Sequence, residues 1–244
     1  MSSLAHSTET FATRLAHIEE VIAAACRRAA RPRESVRLMA VSKTHPASAI
    51  AEAVAAGVTL FGENRVQEFQ AKSQDLAALG VTSAQVHLIG HLQSNKCAKA
   101  SEIFSAIDTV DSPHLAERLQ NSAASLGKTL PILVEIKLSE EAAKTGLAPE
   151  GDELRELLAR LPDLPHLKMR GLMTIAPFTG DEAITRACFQ SLRRLRDTLA
   201  AAHPRLDFSE LSMGMSGDFE IAIEEGSTCV RIGTALFGPR EARP

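Results

Sequence analysis

From Val36 to Ile232 the chain alternates short β-branched or apolar runs with longer stretches of helical periodicity. That alternation constrains the fold more than any other feature. Successive parallel strands need a crossover between them, and the helical stretches supply it. The expected strands are Val36 to Ser42, Val58 to Phe61, Val86 to Ile89, Ile103 to Ile107, Leu130 to Ile136, Leu167 to Met173, Leu206 to Leu211 and Cys229 to Ile232. Between them the spacing predicts helices over Pro46 to Ala56, Asn64 to Ala78, Pro113 to Leu126, Asp152 to Leu161, Asp181 to Ala202 and Asp218 to Glu225. Several open on Pro, Asp or Asn, residues suited to helix N-termini. Eight strand–helix units suit a closed sheet better than an open one. The fold class is therefore read as α/β: a single (β/α)8 TIM-like barrel over residues 36–238, with an extra N-terminal helix within 1–35. The whole chain, 1–244, is read as one domain, near the length of about 250 residues usual for such barrels.

Composition removes several function classes. With 45% hydrophobic and 23% charged residues the chain is expected to be globular rather than disordered. A net charge of −3 provides no general attraction for nucleic acid or anionic lipid, so any anion site must be local. No apolar run reaches the roughly 18 residues of a membrane span, and no signal-peptide core is visible. Residues 8–30 form an Arg-containing amphipathic stretch, but Glu9, Glu19 and Glu20 argue against a transit peptide. Cys26, Cys97, Cys188 and Cys229 lie far apart without a CxxC pair, as expected of free thiols in a reducing cytoplasm.

In a βα barrel the reactive face lies at the C-terminal ends of the strands. Lys43 follows the run Leu38-Met39-Ala40-Val41 and should emerge there, where partial burial favours a nucleophilic amine. On position alone a solvated strand-end lysine is the better reading, so another feature must decide. The loops after strands 7 and 8 are the usual phosphate site of such barrels. Here they read Leu211-Ser212-Met213-Gly214-Met215-Ser216-Gly217-Asp218 and Arg231-Ile232-Gly233-Thr234, rich in small residues and hydroxyls. Two such loops at both expected places favour phosphate over simple turns. A lysine and a phosphate cradle together point to a phosphorylated aldehyde, of which pyridoxal 5′-phosphate (PLP) is the leading candidate. A sugar-phosphate aldolase satisfies the same logic.

Other groupings are weaker. His87 and His91 are four apart, straddle a strand end and have no carboxylate pair nearby in sequence, so no metal site is expected. Gly62-Glu63-Asn64-Arg65 either lines the barrel mouth or caps a helix. Met213 and Met215 either pack under a ring or fill core. Lys96 and Lys99, and the Glu140, Glu141 and Lys144 cluster, read as charged surface.

Beyond these single features, whole motifs match a known family. Ala40-Val41-Ser42-Lys43-Thr44, Phe61-Gly62-Glu63-Asn64-Arg65-Val66-Gln67-Glu68 and Ile89-Gly90-His91-Leu92-Gln93-Ser94-Asn95-Lys96 resemble successive motifs of the pyridoxal phosphate homeostasis proteins. Gly171-Leu172-Met173-Thr174-Ile175, the segment Leu211 to Asp218 and the segment Gly226 to Gly238 continue the resemblance in order, over roughly residues 36–238. It implies a PLP-binding barrel similar to the N-terminal domain of alanine racemase, with Lys43 as the Schiff-base lysine. By the same matching Ser212, Ser216, Gly233 and Thr234 would lie at the phosphate, and Arg231 would face the pyridine nitrogen. Asn64, His91, Met173, Met213 and Gly214 complete the expected cofactor contacts.

Racemases of the related architecture take a second catalytic base, a tyrosine, from an additional C-terminal domain. The 244 residues include no tyrosine. An always-protonated arginine at the pyridine nitrogen would also weaken the ring as an electron sink. The expectation is therefore a non-enzymatic cytoplasmic protein of PLP homeostasis, monomeric, which stores the cofactor or delivers it to PLP-dependent apo-enzymes. The alternative is an amino-acid racemase or decarboxylase, with His91 or a cysteine as base.

Overall fold

The computed structural model describes residues 9–139 and 145–238. The Glu140, Glu141 and Lys144 cluster lies outside the described residues. The strands are β1 (Arg37–Val41), β2 (Leu60–Glu63), β3 (Gln85–Leu88), β4 (Ala106–Val110), β5 (Leu130–Glu135), β6 (Leu167–Met173), β7 (Glu210–Met215) and β8 (Cys229–Ile232). They form a closed, all-parallel barrel in chain order, β1 pairing with both β2 and β8. The expected eight-stranded barrel is what the chain forms.

The helices are α1 (Phe11–Arg28), α2 (Ala47–Ala55), α3 (Val66–Ala78), α4 (Cys97–Ile103), α5 (Pro113–Ser125), α6 (Asp152–Arg160), α7 (Glu182–Ala202), α8 (Phe219–Glu224) and the single turn α9 (Thr234–Phe237). Strand alternation sorts side chains into two cores. Ala40, Phe61, Leu88, Ile107, Ile132, Leu172, Leu211, Val230 and Ile232 join the helices in one continuous apolar layer. Met39, Val41, Leu60, Ile89 and Cys229 form a separate cluster inside the barrel. The extra N-terminal helix α1 is capped by Thr10, which accepts from the Thr13 N–H. Arg28 ties its end to α8 through Glu220 and Glu224 at 2.7 and 2.8 Å.

Three strands lie further along the chain than the sequence suggests, β2 by two residues at each end. β4 starts at Ala106, not Ile103, because Cys97, Ala100 and Phe104 follow helical spacing and are all buried on one side of α4. β7 starts at Glu210 and runs through Ser212-Met213-Gly214, which reads as loop by composition. Pairing overrides propensity there: Met173 is in register with Ser212 and Ser212 with Cys229. A register shift between Ser212 and Met215, with Gly214 at φ 97°, absorbs the irregularity.

Candidate functional site

Because every strand runs the same way, the residues that follow β1 to β8 converge on one mouth. Lys43 lies two residues beyond Val41, just past the C-terminal end of β1, and is half-buried. Its neighbours form a tight turn: the His45 N–H donates to the Ser42 carbonyl at 3.1 Å, and Thr44 has φ 69°. The His45 ring stacks on Phe237 of α9 with centroids 4.9 Å apart, and Phe237 in turn meets Phe11 of α1 at 5.2 Å. The first and last βα loops are thereby packed side by side.

Arg231 lies inside the barrel, 4% exposed. Its guanidinium donates to the Ser212 hydroxyl and to the Thr174 carbonyl, both at 2.7 Å. Both acceptors are uncharged, and no described carboxylate lies within ion-pair distance. Burial lowers its pKa, while Cys229 and the more distant Asp108, Asp218 and Glu135 act the other way. Arginine nonetheless stays protonated, which leaves a buried positive charge facing the mouth. Next to it the loops after β7 and β8 touch: the Gly233 N–H donates to the Ser216 hydroxyl at 3.3 Å, and Thr234 opens α9.

Composition did not point to Glu135, at the end of β5. It is 3% exposed; one carboxylate oxygen accepts from Thr145 at 3.0 Å and the other has no partner among the described residues. Burial pushes its pKa up, opposed first by the Thr145 hydrogen bond. The signal that marks it is a single acid closing the apolar run Leu130-Pro131-Ile132-Leu133-Val134 at a strand end.

His87 and His91, with no carboxylate pair nearby in sequence, each meet one aspartate of the neighbouring β4 segment in the fold. His87 Nδ1 is 3.1 Å from Asp108, and His91 Nδ1 is 3.1 Å from Asp111. His91 is at the mouth and exposed, whereas His87 is buried towards the N-terminal end of the barrel. Among the described residues no group of three or more His, Cys, Asp or Glu could hold a metal.

Asn64 sits half-buried after β2 with its backbone against Gly90: a Cβ on Gly90 would fall 2.3 Å from the Asn64 oxygen. Met173 is buried at the register level of Glu135 and Ser212. Ser212 is fully buried and held by Arg231, in the strand rather than in the loop. Met213 is not brought to the mouth, since its side chain belongs to the helix-facing core. Gly214 packs under Ala222 and Phe219 of α8. Thus Lys43, Asn64, His91, Ser216, Gly233 and Thr234 lie at the mouth, with Met173, Ser212 and Arg231 buried beneath it.

Comparison with known proteins agrees with this architecture. Residues 14–241 match the family described as alanine racemase, N-terminal domain. The pyridoxal phosphate homeostasis protein of Escherichia coli (strain K12) is 42% identical over 244 residues, covering 99% of this chain and 98% of its own. PipY of Synechococcus elongatus PCC7942 is 44% identical and covers 94% of this chain and all of its own; its structures without and with PLP superpose at TM-scores of 0.84 and 0.82. Alanine racemase of Clostridium difficile 630 shares the fold at 18% identity and a TM-score of 0.73, with the match covering 57% of that longer chain. By barrel, motif order and identity over nearly its full length, the chain belongs to the pyridoxal phosphate homeostasis protein family.

Proposed function

We propose that this protein binds PLP, holds it as a Schiff base on Lys43 and serves as an intracellular store or donor of the cofactor for PLP-dependent apo-enzymes. The observation that carries this reading is the convergence of three groups on one mouth: the half-buried Lys43, the buried Arg231 with no carboxylate partner among the described residues, and the Ser216–Gly233 contact between the last two loops. This donor set fits PLP: an amine for its aldehyde, a cation deep in the mouth, and small-residue loops where barrels of this type bind phosphate. PipY, at 44% identity, has been solved with PLP bound. When present, the cofactor supplies an aldehyde that condenses with an amine, with loss of one water.

Each residue has a separable task. Lys43, in its neutral form, donates the nitrogen lone pair; its place on the inner wall fixes the direction of approach. Arg231 offers only donors and cannot accept a proton, an arrangement suited to holding a ring nitrogen unprotonated and poorly suited to carbanion chemistry. Ser216 and the backbone around Gly233 and Thr234 provide hydroxyl and N–H donors for phosphate oxygens.

Borohydride reduction of the PLP-loaded protein followed by peptide mapping tests cofactor and residue together. The label is expected on Lys43 and is expected to vanish in Lys43→Ala; a label elsewhere, or unchanged labelling in the variant, overturns the assignment. One observation favours a second reading, a racemase: Asp111 orients His91 at the mouth, as a carboxylate orients a histidine base. Exchange of an amino acid's α-proton with deuterated solvent by the loaded protein, abolished in His91→Gln, would establish that reading instead.

A further inference from the structure

Lys43 sits in a turn that is itself strained. With the Ser42 carbonyl bonded to the His45 N–H, Lys43 and Thr44 are the two central residues of a β-turn, and Thr44 takes the left-handed conformation, φ 69°, that such turns normally give to glycine. A side chain with a branched Cβ is strained in that region and persists only where its surroundings over-determine it. On both sides of Lys43 the surroundings do so.

Ser42 continues the outward alternation and faces the helix layer, where its hydroxyl donates to Glu63 Oε1 at 2.7 Å. Lys72, one face of α3 turned to the barrel, is 8% exposed. Its ammonium carries three protons and meets three acceptors: Glu63 Oε1 at 2.8 Å, the Ser42 carbonyl at 2.9 Å and Glu68 Oε1 at 3.0 Å. The same Glu68 oxygen accepts the Thr44 N–H. The residue before Lys43 is thus held by its hydroxyl and carbonyl, and the residue after it by its N–H, all through one buried cation. Burial still pushes the Glu63 carboxyl up, with Lys72 acting against that, and its second oxygen has no partner among the described residues. A lysine and two acids with an orphaned oxygen are a poor way to stabilise a helix–strand contact, since apolar residues of equal volume do so at least as well.

We infer that Lys72, with Glu63 and Glu68, is a positioning device that holds the strained turn and so aims the Lys43 amine at its aldehyde. None of the three is a catalytic residue; each acts through the backbone on either side of Lys43. The inference rests on the proposed covalent attachment at Lys43.

The test follows covalent capture of PLP, quenched with borohydride at intervals and read as the mass of the Lys43 peptide. Thermal midpoints and binding of pyridoxine 5′-phosphate, which has the ring and phosphate but no aldehyde, are measured alongside. Lys72→Met is expected to slow capture on the order of tenfold or more, because small misplacements of a reacting group carry large rate penalties. Affinity for pyridoxine 5′-phosphate should change much less. Loss of stability alone is separated by the neutral double variant Glu63→Gln/Lys72→Met, which leaves no unpaired charge between the two: its midpoint should recover while its capture stays slow. Recovery of both shows the network to be structural only and overturns the inference. Should Lys72→Met not fold, Glu68→Gln, at the partly exposed end of the network, decides: normal capture there overturns the proposal, slow capture at unchanged midpoint supports it. Absence of any Lys43 adduct in the unaltered protein would instead refute the covalent reading, a result distinguishable from failure of the positioning role.

Discussion

Glu135 shows how much one buried atom decides. Among the described residues one oxygen of its carboxylate is unpaired, and burial raises its pKa above the ordinary 4.5. The folded state therefore holds the proton more tightly than the unfolded chain. Stability from this group is complete below the unfolded value and is lost as pH rises through the folded one. Glu135→Gln removes that loss. The variant is expected to melt a few degrees above the natural protein at neutral pH, with the difference closing near pH 4, as followed by calorimetry across that range. Lys43 and Arg231 were legible through the ordered motif resemblance, since position alone left Lys43 as a solvated strand-end lysine and gave Arg231 no role. Glu135 and Asp111 were not, because an isolated acid at a strand end looks the same whether water or another loop covers it.

At the scale of elements, the mouth depends on loops that fit backbone to backbone. The loops after β2 and β3 meet at Asn64 and Gly90, and the Gly90 carbonyl is held by the Thr109 hydroxyl of β4 at 2.9 Å. A methyl group at position 90 would meet main chain rather than a yielding side chain. Gly90→Ala is expected to destabilise the protein by about 1–3 kcal/mol and to weaken PLP binding through displacement of Asn64; denaturant unfolding and cofactor titration measure the two effects. The strands and helices were legible where hydrophobic period and local propensity agree, as in β6 and β8, whose bounds match the sequence reading. They were misplaced where the two conflict. Ile103 carries strand propensity inside a helix, and Ser212-Met213-Gly214 carries loop propensity inside a strand, because neighbours on both sides complete the hydrogen-bond ladder.

Across the whole molecule the barrel has two unlike ends. The C-terminal mouth carries Lys43 and Arg231. At the opposite end, Arg37, His87, Asp108, Arg170 and Glu210 line an opening of about 440 Å³. Between them stands the apolar cluster of Met39, Val41, Leu60, Ile89 and Cys229. Residues at the N-terminal end of such barrels generally serve stability. Burial disfavours the charged form of His87, yet the charge and hydrogen bond of Asp108 outweigh it and raise its pKa above 6.5. Its contribution is complete below that unfolded value and disappears as pH rises through the folded one. His87→Gln is accordingly expected to cost more stability near pH 6 than near pH 9, where chemical denaturation should find the two proteins closer. An equal cost at both values would show that the imidazole is neutral in the folded protein.

The alternation of eight apolar runs with helical stretches was enough to determine a closed parallel barrel. Strand direction, face alternation and right-handed crossovers leave little else that buries those runs. The same alternation placed Lys43 just past the end of β1 and the loops after β7 and β8 side by side. Tertiary structure alone decided which charges are buried and what they meet. The distance from Lys72 on α3 to the Ser42 carbonyl, the partners of Arg231 and the pairing of His91 with Asp111 depend on register between strands and on how each helix settles on the sheet. Local sequence does not encode those quantities, because each is set by contacts between segments far apart in the chain.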